Sequence, residues 1–237
     1  MALGLGINTA PLTTPLKWLP TEPGLARLSL WLQNGVNVTA AAWLDSSPQA
    51  NDATQVNSGN RPIVSEGGLG FNQSSIPQWM DLDSLITIPE DTGFTLSFTV
   101  TLEDTTNAVI LSDSVSEFIE IMNSKRLRLK TNNPSALSTT LFFDNTVFTT
   151  NKSVITLQRI QAGTFAVYIN GDKYIPNAST VNAVNTGGFD VSNVAIRNDS
   201  DRPLDGLLYE LVFYQSDIGA VEIANLNNYM MEKFNIS

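Results

Sequence analysis

Residues 203–237 read PLDGLLYELVFYQSDIGAVEIANLNNYMMEKFNIS, and this closing stretch decides the fold class. Leu207, Leu208, Leu211, Val212 and Phe213 are apolar at both parities, the pattern of a strand covered on both faces. After Tyr214-Gln215-Ser216-Asp217 the period changes. Ile223, Leu226, Met230 and Phe234 recur at helical spacing, with asparagines and Glu232 on the other side. Gly219 is placed to serve as N-cap, and Glu222 three residues later is the acidic half of a capping box. The helix is expected to bury its apolar face against the rest of the domain.

Upstream, the periods are those of strands. Leu28-Ser29-Leu30-Trp31-Leu32 alternates like a half-buried strand. Phe94, Leu96, Phe98, Val100 and Leu102 alternate with Thr95, Ser97, Thr99 and Thr101, which predicts a strand with one wet face. Apolar runs at Val109–Leu111, Phe118–Ile121, Leu127–Leu129, Val154–Ile160 and Phe165–Ile169 follow at short intervals. Asn170-Gly171 is a type I′ hairpin signal leading into Lys173-Tyr174-Ile175. With no internal repeat and no second core, one domain over residues 28–237 is the economical reading. Residues 1–27 differ in composition. Pro11, Pro15, Pro20 and Pro23 break any regular element, while Leu12, Leu16, Trp18 and Leu19 keep the segment apolar. We expect an extended arm that docks through those four residues on a partner surface, or else pads its own domain.

Composition narrows the chemistry. The 237 residues carry 13 basic and 23 acidic side chains, a formal net charge of −10, which disfavours nucleic acid as a partner. The cluster Lys125-Arg126-Leu127-Arg128-Leu129-Lys130 runs against that trend and reads first as a solvated strand face. Cysteine and histidine are both absent. That excludes disulfides, thiol nucleophiles, Ser-His-Asp catalysis and histidine or thiolate metal sites, and fits synthesis in a reducing compartment. Sequons at Asn37, Asn72, Asn151, Asn177, Asn198 and Asn235 read as a by-product of Asn, Ser and Thr richness. Residues 1–12 lack the basic and apolar regions of a signal peptide, and no apolar run reaches the ~20 residues of a membrane span.

The terminal block resembles the closing segment of concanavalin A-like lectin/glucanase domains, the laminin-G-like jelly rolls. In these domains a Gly-Xaa-Ile-Tyr-Glu strand precedes a helix ending Tyr-Leu-Xaa-Xaa-Lys-Tyr. Gly206, Tyr209, Glu210, Glu222, Tyr229, Lys233 and Phe234 occupy the matching positions. The opening block is similar too, with Leu28–Leu32, Val38, Trp43, Asp45, Asn51-Asp52-Ala53-Thr54-Gln55 and Arg61-Pro62, although Ser46-Ser47-Pro48 replaces the usual Ser-Gly. Tyr168-Ile169-Asn170-Gly171 looks like the hairpin of the same domains. The resemblance implies an all-β fold: a two-sheet antiparallel jelly-roll sandwich with an N-terminal arm and one C-terminal helix. It also implies framework roles for Trp31 and Trp43.

Some members of that family are glucanases, whose catalytic strand carries Glu-Xaa-Asp-Xaa-(Xaa)-Glu. The nearest match, Glu117-Phe118-Ile119-Glu120, lacks the aspartate, and glutamates three apart leave a strand on opposite faces. No catalytic residue, and no cofactor, is therefore expected. Calcium is the metal the resemblance would suggest, and Asp45, Asp52, Asp144 and Asp205 lie in loop-like segments. Without a compact calcium loop they read as solvated or structural, so no metal site is assigned. Trp79, between Gln78 and Met80, is the candidate sugar platform. Domains of this kind also occur in tailed bacteriophages. The leading expectation is accordingly a non-enzymatic virion structural protein, a head-decoration or tail component assembled in the host cytoplasm. Its partners would be capsid or tail proteins and copies of itself, with host-surface glycans as further ligands. The alternative is a carbohydrate-binding, lectin-like adhesin.

Overall fold

A computed structural model describes residues 18–22, 28–72, 76–197 and 202–237. The first strands are β1 (Leu28–Leu32), β2 (Ala42–Trp43), β3 (Ala53–Thr54), β4 (Ile63–Ser65), β5 (Gly68–Phe71), β6 (Met80–Ile88), β7 (Phe94–Leu102) and β8 (Ala108–Ser114). They are followed by β9 (Glu117–Asn123), β10 (Arg126–Thr131), β11 (Leu137–Phe142), β12 (Ser153–Arg159), β13 (Phe165–Ile169), β14 (Asp172–Tyr174), β15 (Phe189–Val194) and β16 (Gly206–Tyr214), then helix α1 (Gly219–Phe234). The first sheet runs β14-β13-β12-β7-β16-β5-β4, with β1 also on β16, and the second runs β11-β10-β9-β8-β15-β6-β3-β2. All pairings are antiparallel, so the fold is the expected two-sheet sandwich. Among the described residues, no helix is long and apolar enough to cross a membrane.

The main core lies between the sheets and takes Leu96, Phe98 and Val100 from β7, Leu208, Leu211 and Phe213 from β16, and Ile119 and Ile121 from β9. A second, smaller cluster lies on the far side of the first sheet, where α1 packs Leu226, Tyr229 and Met230 against Leu28, Trp31, Val154, Val212 and Tyr214. This explains the double-sided hydrophobicity of β16, as read from the sequence. Between Leu208 and Glu210 the register with β7 shifts by a bulge. Bulges re-aim side chains, and this one puts two successive residues on the helix side: Tyr209 meets Phe234 at 5.6 Å between ring centroids, and Glu210 meets Tyr229.

Glu210 is fully buried and joins helix, sheet and first strand. It accepts from Trp31 Nε1 at 2.8 Å, Tyr229 Oη at 2.9 Å and the Asn34 N–H at 3.3 Å, and it pairs with Lys233 Nζ at 2.5 Å. A buried carboxylate is tolerated only when paired and hydrogen-bonded in this way. Burial, then the nearby Glu210 charge, pushes the Tyr229 hydroxyl well above its ordinary range, so it remains a donor.

Three local expectations are corrected. The wet face of β7 is dry: Thr95, Ser97 and Thr99 are fully buried beneath α1. Their hydroxyls find partners there. Ser97 Oγ bonds Thr156 Oγ1 at 2.8 Å, Thr156 Oγ1 donates to Asn227 Oδ1 at 2.6 Å, and Thr95 Oγ1 donates to the Ser216 carbonyl at 3.1 Å. Asn227 thus belongs to the buried face of the helix rather than its outer side. β1 is buried along its whole length, because α1 covers the face that alternation left open. The helix N-cap is Ile218 and makes no side-chain cap hydrogen bond; Asp217 Oδ1, just before it, accepts from the Gly219 N–H at 2.8 Å, and Glu222 accepts from Trp18 and Asn225. The type I′ hairpin is present, with φ of 50° at Asn170 and 83° at Gly171.

Candidate functional site

The outward-facing side of the second sheet brings aromatic, polar and charged side chains together from neighbouring strands, with Ser112, Phe118 and Glu120 buried among them. Pairing registers align one row across it: Thr54 on β3, Asp81 on β6, Asn193 on β15, Ser112 on β8, Phe118 on β9, Lys130 on β10 and Ser138 on β11. A parallel row brings Arg128 beside Glu120 and Thr140. Both rows face away from the core, since their alternates Ile119, Ile121, Leu127 and Leu129 fill it.

At the β6 end, Trp79 is half-buried and its indole N–H donates to Asp81 Oδ1 at 2.9 Å. The same oxygen accepts from Asn193 Nδ2 at 2.7 Å. The indole is thereby held by its edge, beside a carboxylate and a carboxamide. The candidate platform chosen from the sequence thus has two polar neighbours that the sequence did not reveal, Asp81 two residues away and Asn193 more than a hundred.

At the β9–β11 end the face is cationic. Arg126, Arg128 and Lys130 alternate along β10, and the segment after β15 adds Arg197 and Arg202. The Arg128, Lys130 and Arg197 charges lie 5.2, 5.4 and 5.7 Å from the Phe118 ring centroid, within cation–π range. Arg126 stacks on Phe142 at 4.6 Å. Glu120, fully buried, pairs with Arg128 and accepts from Arg202 Nη1 at 3.0 and 3.1 Å. Burial, and after it the Arg202 and Arg197 charges, hold Arg128 below its ordinary pKa against the pull of Glu120. Lys130 is lowered by burial first, then by Arg128, Arg197 and Arg202. Sequence reading singled out the β10 cations as a solvated strand face. It missed Arg197 and Arg202, which arrive from a loop some seventy residues later with no local signal.

The other sequence candidates separate. Glu117 and Glu120 leave β9 on opposite faces, Glu117 accepting from Ser114 Oγ at 2.9 Å and the Asp190 N–H at 3.3 Å. Asp45 organises its own turn, accepting from the N–H groups of Trp31, Ser47 and Asn51 at 2.8 Å each and from Ser47 Oγ at 2.5 Å. Asp52 accepts from the Asp45 N–H at 2.8 Å, and Asp144 accepts from Asn177 Nδ2 at 2.7 Å. Asp205 lines a cavity of about 580 Å³ beside β4, β5 and β16, along with Glu66, Glu103 and Tyr209. Among the described residues no three acidic side chains are grouped to hold a metal ion.

Leu12 and Leu16 lie outside the described residues. Trp18, assigned from the sequence to a partner surface, is engaged by its own domain: its indole N–H donates to Glu222 Oε2 at 3.0 Å and its ring meets Tyr229 at 6.1 Å. Pro20 is tied down by Tyr214, whose hydroxyl donates to its carbonyl at 3.1 Å. Leu19 remains exposed. The described end of the arm therefore pads the helix-covered face.

No protein-family model and no curated protein matches the sequence. Among solved structures, the fold is similar to the binding domain of Paraclostridial Mosquitocidal Protein 1, with TM-score 0.58 and 17% identity over 86% of this chain and 52% of that one. It is similar to botulinum neurotoxin type C, whose cell entry depends on interaction with two ganglioside molecules, with TM-score 0.53 and 18% identity over 85% of this chain and 51% of that one. A third likeness is to Trypanosoma rangeli sialidase in complex with the inhibitor DANA, with TM-score 0.54 and 16% identity over 84% of this chain and 32% of that one. The chain spans about half the length of the two toxin chains and about a third of the sialidase. At such identities the likeness establishes the fold alone, a two-sheet β-sandwich.

Proposed function

We propose that this chain is a non-enzymatic, lectin-like carbohydrate-binding domain that receives its glycan on the outer face of the second sheet. The observation that carries the reading is Trp79, held through Asp81 in register with Asn193. Sugars offer apolar ring faces for stacking and hydroxyl groups for carboxylates and carboxamides, and this trio supplies both kinds of contact. The solved neighbours support it in kind, since two are toxin chains described by binding, one of them to gangliosides. Screening the chain against an oligosaccharide array tests the proposal, with Trp79→Ala expected to abolish the signal while the chain stays folded, at a stability loss of about 1 kcal/mol.

The absence of catalysis is part of the proposal. Glycosidases need two carboxyl groups facing one bond, about 5–5.5 Å apart for retention or 6.5–9.5 Å for inversion. Glu117 and Glu120 face opposite ways, and Glu120 is committed to Arg128 and Arg202. Laminarin, agarose and carrageenan should all survive incubation. Hydrolysis that disappears in Glu117→Gln or Glu120→Gln would contradict this.

A virion structural role has less behind it. The neighbours named above are binding domains and a sialidase, and Trp18 is spent on α1. An adhesin carried on a particle would join the two roles. Removing residues 1–20 should then lower the melting temperature, and loss of particle incorporation by a still-folded truncation would favour virion docking.

A further inference from the structure

We infer that the sugar taken at Trp79 is an uncharged one, and that Asp81 is the residue that selects it; this rests on the glycan-binding reading above. Asp81 is half-buried and stands on the outer face of β6, two residues from Trp79. Its Oδ1 is engaged twice, accepting from the Trp79 indole N–H at 2.9 Å and from the carboxamide of buried Asn193 at 2.7 Å. Among the described residues nothing hydrogen-bonds its Oδ2. One oxygen therefore holds the carboxylate beside the edge of the indole, and the other is left for a ligand. Asn193, being buried, acts through Asp81 rather than on the sugar.

The surroundings decide which partner Oδ2 takes. A carboxylate only accepts, so the ligand must donate. Sugar hydroxyls donate, whereas ionised carboxylate and sulfate groups have no proton to give and repel a like charge. Thr54 stands opposite Asp81 on β3, half-buried, and its hydroxyl has no partner among the described residues. It offers a second hydrogen-bonding group about 5 Å from Asp81 across the strand pair.

Nearby charge points the same way. Asp83 is exposed and lies on the same face. At about 3.4 Å per residue it is about 7 Å farther along the strand, within one Debye length at physiological salt. Arg61 is the cation of the adjoining loop, and its Nε and Nη2 already donate to the Gln55 and Val56 carbonyls at 2.9 and 3.2 Å. Gln73, Ser74 and Ser75, which lie outside the described residues, add no charge. Trp79 thus supplies a face that any sugar ring can use, and Asp81 supplies the choice between neutral and acidic rings.

The experiment is a binding titration of the full chain with neutral oligosaccharides and with their sulfated and sialylated forms, at low and high salt. It is repeated on Asp81→Asn and on Asp83→Asn, each checked for folding by its melt. Asparagine at 81 keeps an oxygen for Trp79 and Asn193 and exchanges the charged Oδ2 for an amide. We expect the parent to favour neutral forms by about tenfold or more at low salt, a preference that shrinks as salt screens the repulsion. In Asp81→Asn neutral forms should weaken about tenfold while acidic forms strengthen, and in Asp83→Asn acidic forms should strengthen at low salt. The parent's preference and the Asp83→Asn shift decide the matter even if Asp81→Asn does not fold. Acidic forms that bind the parent as tightly as neutral ones, or an Asp81→Asn variant that weakens both by the same factor, overturn the inference and leave glycan binding standing. The second of these results would make Asp81 a support for the indole only. No binding of any oligosaccharide sinks the underlying reading as well.

Discussion

The outer faces of the two sheets start from the same sequence pattern and end differently. On β7 the polar alternates are Thr95, Ser97, Thr99 and Thr101; on β10 they are Arg126, Arg128 and Lys130. The first set is roofed by α1, and Thr95, Ser97 and Thr99 lose all exposure, while Arg126 stays in solvent. The cause is the chemistry of the polar atom. A hydroxyl is satisfied by one or two neighbours, and Ser97, Thr156 and Asn227 satisfy one another in a short chain. A row of cations needs counter-charge before it can be covered. Alternation therefore identifies the face that is not the main core, and the residue type decides how completely that face is covered.

If that distinction holds, substitutions on the helix-covered face should cost stability and those at the exposed cations of β10 should not. The largest loss is expected at Glu210→Ala, where Trp31, Tyr229 and Lys233 all lose their acceptor. Breaking a buried pair from one side costs about 3–5 kcal/mol, and chemical denaturation should show it. Leu226→Ala opens a cavity beneath α1 and should cost about 3 kcal/mol in the same assay. A Leu226→Ala unfolding curve indistinguishable from the parent would mean that the helix does not hold the sheet. Trp18→Ala removes an aromatic contact and one hydrogen bond at the rim of that cluster, for a loss of about 1 kcal/mol. An unchanged melt would return the arm to the partner-docking role. Arg126→Ser, on the other sheet, should stay within about 0.5 kcal/mol of the parent. A larger loss there would show the cationic face to be structural.

Much of the fold was legible because its signals are local. The two-parity apolar run of β16, the helical spacing of Ile223, Leu226 and Met230, and Asn170-Gly171 each report structure within a few residues. What stayed hidden depends on pairing across the chain. Glu210 was visible as part of a pattern, but its role comes from Trp31, 179 residues away, and from a bulge that no composition marks. The dryness of β7 depends on a helix more than a hundred residues later. At the site, Trp79 and the β10 cations stood out in the sequence, whereas Asn193, Arg197 and Arg202 joined them only through strand order.

The proposed glycan site on the outer face of the second sheet depends on Trp79. The most direct measurement is an oligosaccharide array probed with the parent chain and with Trp79→Ala, each confirmed folded by its melt. We expect binding by the parent and none by the variant, with both chains folded. Binding that survives in Trp79→Ala would contradict the site, and a parent chain that binds no oligosaccharide would contradict the function.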